Sequence, residues 1–381
     1  MELNDGIHLA YCTNIHRGET WEETFAGLRD HTLRVKQRVS PEEPYAIGLR
    51  LGQQAAEQLA HGDGVLDAFR RWMDDHGCYV FTINGFPYGR FHGGRVKEQV
   101  YVPDWSTPER LDYTNLLFDL LAEMIPEGIE GSVSTLPGSF KEFNADVALI
   151  ERNLKVCAEH IEVLSDRRGQ RFHLGLEPEP LGLFETSAET LDFFEDHLQG
   201  DRLREFVGVN YDTCHLAIEY EDPREALGRL SSAGIMISKL HLSSALTLKP
   251  SDEALERLGD FQEDTYLHQV IVRDGGSPLR RYRDLPDALA MAAAERGEEW
   301  RVHFHIPLHR EPELVFGTTA DHLLGVLDAL AANRSLCKHL EMETYTWEVM
   351  PQAMHSSDVV DQLEREYAWC LAEMRGRGLV G

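Results

Sequence analysis

The chain has 381 residues, with 37 Lys and Arg against 65 Asp and Glu, a formal net charge of −28. A hydrophobic share of 42% with 31 glycines and 16 prolines is ordinary globular usage, which excludes collagen-like, low-complexity and disordered classes. A surface this negative repels phosphate backbones and anionic membranes, so nucleic acid is not an expected partner; a solvated acidic coat is the simplest account, and carboxylates gathered around a divalent cation the other. No run approaches 18 uncharged apolar residues, so no membrane span is expected. Met1–Ala10 carries Glu2 and Asp5 and lacks a basic stretch before an apolar one, so no signal peptide is expected. The six cysteines (Cys12, Cys78, Cys157, Cys214, Cys337, Cys370) form no CxxC pair, which predicts reduced thiols and a cytoplasmic location.

In chain order, strands are predicted over Ile7–Cys12, Tyr45–Leu51 and Tyr79–Asn84. Thr107-Pro108-Glu109 reads as a helix start, a capping residue before proline at the first helical position. The helix follows over Leu111–Met124, with Leu116, Leu117, Leu120, Leu121 and Met124 on one face. Strand Gly131–Leu136, helix Val147–Leu164, strand Phe172–Glu177, helix Ala188–His197 and strand Phe206–Tyr211 come next. Asp222-Pro223 starts another helix before strand Ile235–Leu242. The rest reads as helix Leu285–Ala294, strand Val302–Pro307, helix Asp321–Ala331, strand Lys338–Tyr345 and a last helix over Asp358–Arg375, ending in Gly376 and Gly378.

Such alternation without a Pro/Ser-rich linker predicts one parallel α/β domain over residues 1–381. A closed (β/α)8 TIM barrel is favoured over an open sheet. No G-x-G-x-x-G or G-x-x-x-x-G-K-[ST] follows a strand, and polar residues sit at many strand ends rather than at one switch point. Nine strands are predicted where a barrel has eight, so one belongs to an insertion or to half of an interrupted strand.

Active sites of such barrels form at the C-terminal strand ends, here Asn84, Thr135, Glu177, Asp212, His241, His305 and Glu343. Carboxylates buried in a barrel mouth are costly unless paired or bound to a cation. Glu177 precedes Pro178, which stops the ladder; a solvated loop carboxylate is its simpler reading. Asp212-Thr-Cys-His215 follows the next apolar strand, although D-x-x-H is common by chance. His241 ends the following strand, where a hydrogen-bonded core histidine is the commoner role. Glu341 and Glu343 alternate onto one side, with Glu343 nearer the strand end and so the better ligand. Carboxylate, Asp-x-x-His, His and carboxylate on successive strands predict a divalent site of the Mg, Mn, Co or Zn kind.

These residues resemble the xylose isomerase-like barrels, which include sugar epimerases and endonuclease-IV-type enzymes. The resemblance implies Glu177 and Glu343 as metal ligands and as the acid and base of proton transfer, Asp212 and His241 as the other ligands, and His215 near the substrate. Five phrases are similar to the EboE, or metabolite traffic protein, branch: Thr82-Ile-Asn-Gly-Phe-Pro-Tyr-Gly89, Tyr101-Val-Pro-Asp-Trp105, Leu176-Glu-Pro-Glu-Pro180, Asn210-Tyr-Asp-Thr-Cys-His215 and Glu343-Thr-Tyr-Thr-Trp347. The epimerase pattern of His-x-His before an Arg-bearing loop is met in two halves. Lys239-Leu-His241 stands 29 residues after Asp212, and His303-Phe-His305 stands 38 before Glu343 with His309-Arg310 following. An insertion on the C-terminal face, roughly 246–300, accounts for this; His241 then keeps the ligand role while His305 lines the pocket or competes for it.

Two glutamates around a cation suit proton abstraction beside a carbonyl, as epimerisation or aldose–ketose isomerisation requires. The implied partner is a sugar-like or polyol small molecule, and a homo-oligomer is compatible with the sequence. Lys97, Arg310 and His215 are candidates to bind its hydroxyls or an anionic group, although Lys97 also reads as a surface lysine. Asn84 and Tyr88 leave the third strand at the mouth and are candidate ligand contacts. Phe86, Trp105 and Trp347 would cover a ring, or simply pack helix on barrel. The rivals are a metal-dependent protein that binds and delivers a metabolite without turnover, and a multinuclear hydrolase of the endonuclease-IV type, which the charge of −28 disfavours.

Overall fold

Eight short runs, buried on both faces, lie side by side in parallel: β1 (His8–Tyr11), β2 (Tyr45–Arg50), β3 (Cys78–Asn84), β4 (Gly131–Thr135), β5 (Phe172–Leu176), β6 (Val207–Asp212), β7 (Ile237–Leu242) and β13 (His339–Met342). The computed structural model describes residues 1–310, 315–351 and 358–381. Every residue of these strands is buried, as parallel strands covered by helices require. Their order is β1-β13-β7-β6-β5-β4-β3-β2, and a parallel bridge from Cys12 to Gly48 brings the two ends together, so the sheet is a nearly closed TIM barrel.

Helices cross outside between successive strands. Helix Pro108–Met124 turns Leu117, Leu120, Leu121 and Met124 inward while Leu116 is half-buried. It starts at Pro108 as expected, but Thr107 does not cap it: the hydroxyl donates instead to the Asp104 carbonyl at 2.8 Å. Asp222 does cap helix Pro223–Ser232, accepting from the Arg224 and Glu225 amides. All six cysteines are buried and unpaired.

After β7 the chain leaves the barrel and builds a second, antiparallel sheet from β8 (Leu246–Leu248), β9 (Val270–Arg273), β10 (Arg280–Tyr282), β11 (Glu299–Val302) and β12 (Phe316–Thr318), in the order β10-β9-β11-β8-β12. It has its own core of Leu246, Leu248, Val270, Val272, Trp300, Val302, Phe304 and Ile306. The ninth predicted strand, Val302–Pro307, is therefore not part of the barrel. Only Val302 is in a strand, paired with Leu246 and Val270, and residues 303–307 run on irregularly. The added sheet also reaches beyond the expected 246–300, because Phe316–Thr318 pairs with Leu246–Leu248.

Candidate metal centre

Four strand ends converge. Glu177 follows β5, with its amide donating to the Thr135 carbonyl at 3.0 Å, so it stands one step beyond the last paired residue. Asp212 ends β6 and caps helix Thr213–Ile218. Its Oδ1 accepts from the Cys214 amide (2.6 Å), the His215 amide (3.1 Å) and the Ser243 hydroxyl (2.5 Å), while its buried Oδ2 has no hydrogen-bond partner among the described residues. His241 on β7 lies in register with Asp212 on one side and Glu341 on the other. Glu343 follows β13, held by its amide to the Leu242 carbonyl at 3.0 Å.

The carboxylates divide their oxygens in the same way. Glu177 Oε2 accepts from Asn210 Nδ2 at 2.7 Å, and Glu343 Oε1 from Asn14 Nδ2 at 2.8 Å and Asn84 Nδ2 at 3.1 Å. The remaining oxygens face one nitrogen: His241 Nδ1 is 3.0 Å from Glu177 Oε1, 3.3 Å from Glu343 Oε2 and 3.6 Å from Asp212 Oδ2. One ligand atom from each of the four residues lies within 4.8 Å of the others, and all four residues are buried. Three carboxylate oxygens around one imidazole nitrogen fit a divalent cation, and Asp212 Oδ2, which makes no hydrogen bond among the described residues, has a lone pair to offer it.

Electrostatics agree with that fit. Burial alone would lower the His241 pKa, but the Glu343 and Glu177 carboxylates outweigh it and hold the ring well above its ordinary value. Burial would raise Asp212, but His215, His241 and His305 hold it well below the usual carboxylate range. A proton or a cation therefore belongs at His241 Nδ1.

The ring is oriented from behind by a residue that sequence reasoning did not assign. Glu341 Oε2 accepts from His241 Nε2 at 2.8 Å and from the fully buried Lys239 Nζ at 2.6 Å. Burial opposes the Glu341 charge, yet Lys239 and His241 bring its pKa down to about 2. With Nε2–H committed to Glu341, Nδ1 presents its lone pair to the site, the carboxylate–histidine arrangement that orients metal-binding imidazoles. The signal lay in Lys239-x-His241 beside Glu341-x-Glu343, two alternating pairs on neighbouring strands. Gly48 leaves room for Glu341: a Cβ there would stand 2.1 Å from Oε1 and 2.6 Å from the Tyr11 carbonyl.

A cleft of about 570 Å³, open solvent at its mouth included, lies against Glu177 and Glu343. Asn84, Phe86, Lys97, Glu179, His215, Tyr266 and His303 are among its walls. Asn84 is committed to Glu343, so it orients a ligand. Lys97 is buried rather than on the surface and pairs with Asp284. His215 Nδ1 lies 3.2 Å from the Pro178 carbonyl, and His305 Nδ1 lies 3.0 Å from the Glu343 carbonyl and 3.7 Å from Glu343 Oε2. Tyr88 is outside the cleft, its ring against Tyr113 and Arg110. Arg310 is half-buried at the turn after Pro307 and is not among the cleft residues. Trp105 is a packing residue, fully buried with Nε1 donating to Thr135 Oγ1 at 3.1 Å, and Trp347 packs against the core of the second sheet. Glu179, buried beside Glu177, was also missed; burial and then the Glu177 charge push its pKa well up.

No family model matches the chain, and no curated protein is similar to it. Among solved structures, an L-ribulose 3-epimerase matches with TM-score 0.52 and 13% identity, covering 99% of this chain and 96% of that one. A xylose isomerase-like TIM barrel protein from Mycobacterium smegmatis, in complex with magnesium, matches with TM-score 0.53 and 13% identity over 99% of both chains. The fold is thus that of the xylose isomerase-like TIM barrels. Among the described residues, no helix is long and apolar enough to cross a membrane.

Proposed function

We propose that the protein is a divalent-metal-dependent isomerase or epimerase of a sugar-like or polyol substrate. The observation that carries this reading is the convergence of Glu177, Asp212, His241 and Glu343, each aiming one ligand atom at a common point beside a cleft. A divalent cation held there, Mn, Mg, Co or Zn, supplies Lewis-acid polarisation of a substrate oxygen. The chain's own residues do the rest. Glu177 and Glu343 reach the cleft from strands three places apart in the barrel, so they meet a bound carbon from different directions, one taking a proton and the other returning it. Asn210, Asn14 and Asn84 fix the carboxylates, and the Phe86 and Tyr266 rings limit water at the reacting carbon. Lys97 and His215 are the expected substrate contacts that line the cleft.

The likeness to an L-ribulose 3-epimerase and to a magnesium-bound barrel supports the substrate class and the metal. The five sequence phrases support the narrower reading that the chain is of the EboE, or metabolite traffic, kind. Solvent exchange tests the reaction: deuterium from D2O enters the carbon beside the carbonyl of a turned-over ketose, with wild-type protein and added metal. Binding without label means a carrier. Asp212→Asn keeps the helix cap through its amide oxygen while removing the charge, and is expected to lose stoichiometric metal at unchanged fold. Full metal retention would overturn the ligand assignment.

A further inference from the structure

The run Glu177-Pro178-Glu179-Pro180 presents two carboxyls to one cleft, and the first of them belongs to the four-ligand set. Each glutamate precedes a proline, which disfavours helical backbone and favours an extended run. Both proline carbonyls are held by side chains from elsewhere in the chain. His215 Nδ1 lies 3.2 Å from the Pro178 carbonyl, and Gln269 Nε2 donates to the Pro180 carbonyl at 3.1 Å. Glu179 is thus fixed two residues beyond a metal ligand, facing the same cleft.

Most polar side chains around the cleft already have partners. Asn14 and Asn84 hold Glu343, Lys97 pairs with Asp284, the Tyr266 hydroxyl lies 2.6 Å from His92 Nδ1, and Gln269 Oε1 lies 2.7 Å from His303 Nδ1. The Phe86, Phe91, Val96, Val100 and Leu267 side chains offer no hydrogen bond. Glu179 and Tyr101 stand apart from both groups. They line the cleft with exposures of only 6% and 1%, and they interact electrostatically. Yet neither Glu179 Oε1 nor the Tyr101 hydroxyl, both buried, makes a hydrogen bond among the described residues. A buried acceptor open beside a buried hydroxyl is costly unless a ligand completes both bonds. The last torsion of a carboxyl side chain is broad, so Oε1 can turn to the cleft.

We propose that Glu179 and Tyr101 together read one hydroxyl of the substrate and so decide which polyol the cleft accepts. That hydroxyl donates to Glu179 and accepts from the Tyr101 O–H. A hydroxyl does both, whereas an ether or carbonyl oxygen has no hydrogen to donate and a methylene group offers neither. An anionic group is rejected at the same place, because Glu177, Glu179 and Glu343 face it and Lys97 is already paired with Asp284. The substrate class narrows to a neutral, unphosphorylated polyol with a free hydroxyl beyond the atoms held at the metal. This rests on the reading of the site as one for a sugar-like or polyol substrate, and it holds whether that substrate is turned over or only bound.

The experiment couples the residue to the hydroxyl. Magnesium-loaded full-length protein is titrated by calorimetry with L-ribulose, with each of its monodeoxy analogues and with L-ribulose 5-phosphate. Wild type is expected to bind one deoxy analogue about tenfold or more weakly than L-ribulose, and the phosphate ester more weakly still. Glu179→Leu should lose that same factor for L-ribulose while binding the deoxy analogue as wild type does, and Tyr101→Phe should behave alike. Without ligand, Glu179→Leu should melt at a higher Tm than wild type, because a buried carboxyl with an open oxygen has been removed. Undiminished discrimination in both variants overturns the proposal, and a lower Tm alongside it makes Glu179 a structural residue. If Glu179→Leu does not fold, Tyr101→Phe, which lacks only the hydroxyl, carries the comparison alone. Deuterium exchange run in parallel separates this proposal from the isomerase reading. Exchange with undiminished discrimination overturns the hydroxyl reader and leaves the isomerase; hydroxyl coupling without exchange upholds the reader in a carrier. No binding of L-ribulose to wild type overturns both.

Discussion

Glu341 shows how much of the centre rests on a residue that does not face the cleft. It is fully buried, it fixes the Nε2–H of His241, and its charge is balanced by Lys239. Replacing it with Gln keeps an acceptor for one partner but strands the Lys239 ammonium, an unpaired buried charge that costs about 3–5 kcal/mol. Metal affinity should fall about 10–100-fold, the usual effect of removing such an orienting carboxylate. The pH dependence has a definite sign. The folded pKa of about 2 lies below the ordinary 4.5, so the stabilisation is complete above 4.5 and is lost as pH falls toward 2. Chemical denaturation of wild type and Glu341→Gln should therefore differ most at neutral pH and converge near pH 2. A difference that persists in acid would remove the ion pair as its cause. Adding Lys239→Met to Glu341→Gln should recover stability without recovering metal affinity, which separates charge balance from ring orientation.

At the level of elements, β2 carries a constraint that propagates to the centre. The register between β2 and β3 shifts between Ile47 and Gly48, and Gly48 also bridges to Cys12 where the barrel closes. A methyl group at Gly48 collides with Glu341 and with the Tyr11 carbonyl, one a side chain and the other backbone that cannot turn away. Gly48→Ala is expected to push Glu341 off His241, so titration calorimetry should show weaker metal binding together with a lower Tm. A variant with wild-type affinity and Tm would mean that the carboxylate has free space that the packing does not show. The same elements explain what was readable in advance. Glu177, Asp212, His241 and Glu343 stood out because a polar residue ending an apolar strand has no packing reason to be there. Glu341 did not, because alternation gives the face of a strand but not which residue of that face opposes His241; that comes from the β7–β13 register. Val302–Pro307 looked like a barrel strand from composition alone, and nothing local distinguishes a parallel barrel strand from the end of an antiparallel one. The three-residue strands β8 and β12 are too short for periodicity to register, so the second sheet was visible only as an insertion between the two halves of the His-x-His pattern.

At the scale of the whole molecule, charge and metal chemistry argue in different directions unless each is given its own question. A divalent cation in a barrel mouth is compatible with phosphate-ester hydrolysis as well as with proton transfer, so the metal does not choose the substrate. The field does. With −28 overall, and with Glu177, Glu179, Asp212, Glu341 and Glu343 buried around the centre, a polyanion approaching the mouth is repelled, whereas divalent cations are drawn in and neutral polyols are indifferent. Lys97 and Lys239, the buried lysines nearest the cleft and the centre, are already paired with Asp284 and Glu341. The expected outcome is that protein loaded with zinc or magnesium neither retains a duplex carrying an abasic site in a mobility-shift assay nor nicks supercoiled plasmid, even at low salt where electrostatic binding is strongest. Metal-dependent incision under those conditions would favour the metal-dependent hydrolase reading over the isomerase one. Metal uptake should show the complementary salt response, its association rate falling as ionic strength screens the acidic surface. A rate that salt leaves unchanged would mean that the cation reaches the centre without help from the net charge.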